Sequence, residues 1–166
     1  MRKQLSLILA GGLTLLSGAV YALTTITSQF TVQIVISAAC TIISANNVTF
    51  PGQGVLTANV PNSGTPVIVV QCTNTTPYNI GLNAGTGAGA TVANRKMTGP
   101  GAATINYSIY QDAGFTTVWG NTIGTDTQSI TSDGTQKSWN VYARVPAQNT
   151  PAPGTYTDTI TVSVSY

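Results

Sequence analysis

Apolar residues recur at every second position along most of this chain, while the residues that sustain helices are scarce, and this pairing confines it to β-structure. Beyond residue 22, Thr, Val, Ile, Asn, Gly and Ser dominate, Glu is absent, and Lys and Leu are few. Alternation places Phe30, Val32, Ile34 and Ile36 on one face, with Thr31 and Gln33 opposite. The same period predicts strands through Val67–Cys72, through Tyr78, Ile80 and Leu82, and through Ile105, Tyr107 and Ile109. Trp139, Val141, Ala143 and Val145 make another strand, and Tyr156 to Tyr166 a last one. Turn clusters separate them, including Pro51-Gly52, Pro61-Asn62-Ser63-Gly64, Gly99-Pro100-Gly101 and Asp133-Gly134. Short strands at this spacing predict an all-β sandwich.

The N-terminus reads as an export signal. Arg2 and Lys3 precede an apolar stretch from Leu5 to Val20, and Val20-Tyr21-Ala22 ends it in an A-x-A-like pattern that predicts cleavage after Ala22. A membrane anchor is the competing reading, but Gly11, Gly12, Ser17 and Gly18 weaken the stretch and no basic stop follows. Residues 1–22 are therefore expected to be a signal peptide, 23–38 an extension and 39–166 the folded domain. Loss of the signal also removes the excess charge. Arg95, Lys96, Lys137 and Arg144 then balance Asp112, Asp126, Asp133 and Asp158, which argues against nucleic acid or an anionic membrane as partner. Cys40 and Cys72, a lone pair in an oxidising compartment, are expected to form a disulfide contributing about 3–4 kcal/mol in the chain-entropy model.

Catalytic equipment is missing from the inventory. With no His and no Glu, general acid–base work would fall to four scattered Asp, of which Asp126 and Asp133 flank one candidate hairpin and read as turn residues. Two distant Cys assemble no zinc or copper site, and no cofactor is implied. The Gly-rich stretch from Gly81 to Gly101 lacks both the Lys-Ser/Thr ending and the following helix of a phosphate loop. Trp119 and Trp139 leave a periplasmic ligand-binding module as a distant alternative, although large aromatics usually serve burial.

Residues 23–38 admit two readings. They are either the first strand of the domain's own sheet, or a strand that leaves the domain and completes a neighbour's sheet. In the second case, burying Phe30, Val32, Ile34 and Ile36 contributes about 6–12 kcal/mol gross, before association and ordering costs. Ile26 shares that face. The last strand reaches Tyr166, and the groove beside it is expected to stay open.

Several runs resemble the spore coat protein U domain family. They are Val70-Gln71-Cys72-Thr73 followed by Tyr78-Asn79-Ile80-Gly81-Leu82-Asn83-Ala84-Gly85, then Arg95-Lys96-Met97, and Tyr107-Ser108-Ile109-Tyr110-Gln111-Asp112 running on to Val118-Trp119-Gly120. The ending Gly154-Thr155-Tyr156-Thr157-Asp158-Thr159-Ile160-Thr161-Val162 is similar to the family's closing strand. The resemblance implies a subunit of archaic chaperone–usher pili, fibres used in adhesion and biofilm formation. It implies an incomplete immunoglobulin-like β-sandwich completed by donor-strand exchange. Its partners would be a periplasmic chaperone, an outer-membrane usher and neighbouring pilin subunits. By position, Phe30, Val32, Ile34 and Ile36 would be the donor strand, and Ile160, Val162, Val164 and Tyr166 the chaperone-facing last strand. One domain with an extension resembles a shaft or adaptor subunit. The alternative within the family is a secreted coat or matrix protein that does not polymerise through an usher.

Overall fold

The computed structural model describes residues 21–166, so the expected signal segment lies outside the described residues except for Tyr21 and Ala22. The chain divides into two units with the boundary between Val35 and Ile36. In the first, residues 21–35 form neither helix nor strand and are exposed throughout.

The second unit, Ile36–Tyr166, is built from ten strands. They are β1 (Cys40–Ala45), β2 (Val60–Pro61), β3 (Val67–Cys72), β4 (Pro77–Leu82), β5 (Arg95–Thr98), β6 (Thr104–Tyr110), β7 (Gln128–Thr131), β8 (Gln136–Asn140), β9 (Tyr142–Val145) and β10 (Val162–Ser165). The only helical element among the described residues is one 3-10 turn at Pro100–Ala102, and no helix is long and apolar enough to cross a membrane. All ladders are antiparallel and fall into three sheets, ordered β1-β3-β8, β10-β4-β7 and β2-β9-β6-β5.

The alternating residues meet in one core. Ile68 and Val70 from β3, Tyr78, Ile80 and Leu82 from β4, Tyr107 and Ile109 from β6, and Ala143 and Val145 from β9 are all buried there. Side chains of opposite sheets thus share a single apolar interior, the arrangement of a sandwich. Cys40 and Cys72 stand directly opposite in the β1–β3 ladder and are joined as a disulfide. The bridge pins the start of β1 against the end of β3.

The strand expected through Trp139, Val141, Ala143 and Val145 is in fact two strands. β8 pairs with β3, whereas β9 pairs with β6 and β2. Between them the Val141 amide donates to the Pro66 carbonyl at 2.8 Å, one step beyond the Val67–Asn140 pair, before the chain passes to the other sheet. Inward alternation continues through this crossing, so periodicity cannot reveal it. The same holds for the last segment. Thr157 bridges Thr98 at the end of β5, and the chain joins β4 only from Val162 onward. The turn at Asp133-Gly134 likewise links β7 and β8, which belong to different sheets, so it does not close a hairpin.

Candidate functional site

The sheet orders leave β1 and β10 as outer strands, each paired on one side only. An edge of this kind presents a row of unpaired N–H and C=O groups. β1 is also poorly covered. Every residue after Cys40 is exposed, including Ile42 and Ile43, although its partner β3 holds the fully buried Val70.

A groove of about 440 Å³ opens between the segment that follows β1 and the segment leading into β10. Its floor is core, formed by Leu82, Tyr107, Ile109 and Val141; Val48 and Phe50 stand on one wall, Ile160 and Val162 on the other. A second hollow of about 750 Å³ shares Val48, Phe50, Met97 and Tyr156 with the first and extends toward Leu56 and Val145. The sandwich therefore carries an elongated trough at its open edge, with an apolar floor and with Asn46, Asn47, Thr49 and Thr157 among its lining. Among the described residues the one charged side chain in this lining is Asp158, in the first hollow.

Asp158 is held in place by four hydrogen bonds. Its Oδ1 accepts from the Thr86 amide (2.7 Å), the Thr86 hydroxyl (2.9 Å) and the Thr159 amide (2.7 Å), while Oδ2 accepts from the Tyr107 hydroxyl at 2.8 Å. Burial, reinforced by that bond to Asp158, pushes the Tyr107 phenol well above its ordinary range. Nearby, Arg95 is completely buried. Its Nε donates to the Asn83 carbonyl (2.9 Å), Nη1 to Val92 (2.8 Å), and Nη2 to both Leu82 (3.0 Å) and Trp119 (2.8 Å). Desolvation lowers its pKa. The guanidinium thus ties the end of β4, the Gly-rich loop and the Trp119 segment behind the trough floor. Sequence reasoning assigned Arg95 no such role. The available signal was its place on the same alternating face as Met97, in a chain with very few charges.

The other candidate residues are dispersed. Phe30, Val32, Ile34 and Ile36 are between 71% and 88% exposed and belong to no strand. Of the last-strand residues, Val162 and Val164 lie in β10 and are half-buried, Ile160 precedes it, and Tyr166 follows it, largely exposed. Asp126 and Asp133 form no acid pair. Each caps its own turn, Asp126 accepting from the Thr122 amide and Asp133 from Thr135, whose hydroxyl and amide hold the Asp133 pKa below its usual value. Trp119 is fully buried with Nε1 donating to the Ile80 carbonyl, so it cannot line an open ligand pocket. Trp139 is half-buried and packs edge-on against Tyr78.

No curated protein gives a significant match to the chain. Among solved structures it is similar to the chaperone–tip adhesion subunit pre-assembly complex, CsuC–CsuE, of the archaic chaperone–usher Csu pili of Acinetobacter baumannii. The match has 25% identity and a TM-score of 0.57, and covers 79% of this chain. The chain spans 40% of the length of that one. The family model of the spore coat protein U domain matches residues 26–163, which include every strand except the end of β10. This chain therefore belongs to the spore coat protein U domain family.

Proposed function

We propose that the chain is a structural pilin subunit of a chaperone–usher pilus, polymerising through the trough between the segment after β1 and the segment before β10. The observation that carries this reading is the conjunction of an apolar-floored groove, lying between the segments that adjoin the outer strands β1 and β10, with an exposed, strand-patterned apolar segment in the same chain. An extended strand laid in the trough would gain main-chain bonds from one or both edges and bury alternate side chains, which is β-augmentation.

A periplasmic chaperone supplies that strand first, beside Ile160, Val162, Val164 and Tyr166. At the outer-membrane usher the N-terminal extension of another subunit, with Phe30, Val32, Ile34 and Ile36, replaces it. The chain is exported, passes through the periplasm and ends in a surface fibre, where it acts as a shaft or adaptor subunit in adhesion and biofilm formation. The chemistry is association, not turnover: each Asp of residues 23–166 is engaged by its own turn or by Tyr107.

The test is V32D in the full chain, made in the presence and absence of the chaperone. The expected outcome is loss of multimers with the one-to-one chaperone complex retained. A wild-type chain that stays monomeric with concentration-independent high stability, and binds no chaperone, would count against the reading.

A further inference from the structure

We infer that Asp158 forms a polar notch in the trough that receives the Ser28 hydroxyl of a second copy of this chain and thereby sets the register of the inserted strand. The inference rests on the donor-strand reading above.

Three observations lead to it. Among the described residues Asp158 is the only charged side chain lining the trough, whose other polar lining is neutral, Asn46, Asn47, Thr49 and Thr157 among it. Its Oδ1 is saturated by three donors, whereas Oδ2 takes only the Tyr107 hydroxyl, which belongs to the trough floor. A carboxylate oxygen has room for two or more donors. On the loop side Gly85, at φ +85°, packs against this carboxylate so closely that a Cβ would collide with it, nearest to Oδ2.

The third observation lies in the extension. Its apolar face runs Ile26, Ser28, Phe30, Val32, Ile34, Ile36, with Ser28 the single polar interruption. A hydroxyl carried into an apolar groove without a partner is unfavourable, whereas one placed beside a carboxylate gains a charge-assisted hydrogen bond. Strands share a common rise per residue, so setting Ser28 beside Asp158 brings Ile26 and Phe30 beside Tyr156 and Ile160 in either strand direction. Register needs such a device. A slip of one residue turns the apolar face outward and rejects itself. A slip of two keeps that face inward, and apolar matching alone would tolerate it. With Asp158 in the trough, this slip drives Phe30 or Ile26 against a carboxylate.

The experiment compares full-length S28V, S28D, T27D and F30D chains with the unaltered chain, reading multimer yield by size exclusion and multimer dissociation rate in guanidinium chloride. S28V leaves Asp158 and its Tyr107 contact intact and is expected to speed dissociation by about tenfold. S28D is expected to lose multimers, while T27D, on the opposite face, keeps them. S28V multimers that last as long as the unaltered ones, or longer, would overturn the notch, as would S28D tolerated as well as T27D. F30D separates the two claims. If F30D multimers form normally, the donor reading itself falls; if F30D blocks assembly while S28V strengthens it, only the notch is lost.

Discussion

Residues 26–36 and strand β4 carry the same sequence pattern and meet opposite fates. In β4, Tyr78, Ile80 and Leu82 alternate with polar or small residues and are at most 3% exposed. In the extension, Phe30, Val32, Ile34 and Ile36 alternate with Thr31, Gln33 and Val35, yet lie open to solvent. Alternation therefore specifies that a segment can cover an apolar surface, and leaves open which surface. For β4 the cover is supplied within the chain by β7, β10 and the opposing sheets. For the extension, the cover we propose is the trough of a second copy.

The largest expected difference between these regions comes from placing a charge in each. I80D buries an unpaired carboxylate at a fully enclosed site and should destabilise the domain by about 4–5 kcal/mol or more, enough to abolish cooperative unfolding at 25 °C. The matching V32D should change domain stability by less than about 0.5 kcal/mol while removing assembly. Parallel urea melts and size exclusion read both effects. Equal destabilisation by the two substitutions would place the extension inside its own domain after all. Next in size is R95M, expected to cost about 3–5 kcal/mol because four carbonyls lose their donor at once. R95K should recover little, since a compact ammonium cannot reproduce the guanidinium's planar fork.

These cases also mark how far the sequence could be read. The core strands β3, β4 and β6 were legible because alternation and flanking turns act locally, and Cys40 with Cys72 because only one pairing exists. The sheet changes at Val141 and between Thr157 and Val162 were not. Inward-facing residues keep their period across a crossing, and what changes is the hydrogen-bonding neighbour, which lies far away in sequence. The trough was visible only as an expected vacancy beside the last strand. Its walls from residues 45–50 and its single charge at Asp158 depend on long-range packing, and so does the burial of Arg95. A guanidinium with four backbone acceptors has no local signature, because the acceptors come from residues 82, 83, 92 and 119.

The disulfide sharpens the comparison at the junction of the two regions. It closes a separation of 32 residues and fixes β1 against β3. Cys40→Ala with Cys72→Ala should cost about 3–4 kcal/mol in the chain-entropy model. β1 is so exposed that the loss should concentrate there, loosening one side of the trough. Hydrogen exchange in β1 should rise well before exchange in β4, and uniform acceleration across both strands would contradict a local role.

The smallest effect is expected at Tyr107, where the trough floor meets its one charge. Y107F removes a hydrogen bond to a carboxylate and should cost about 1.5–3 kcal/mol at pH 7. Its pH dependence carries the more specific signature. The fold holds the phenol neutral and raises its pKa, so below the unfolded phenol value of about 10 this contribution is constant. Above that, the unfolded chain releases a proton that the native state keeps, and stability falls as pH rises by up to about 1.4 kcal/mol per unit from this residue. Guanidinium chloride midpoints at pH 8 and pH 11 should therefore converge between the wild type and Y107F, because the variant lacks that alkaline loss. A gap that stays constant with pH would mean that Tyr107 ionises as readily in the fold as in the unfolded chain, and that its contact with Asp158 adds packing without holding the proton.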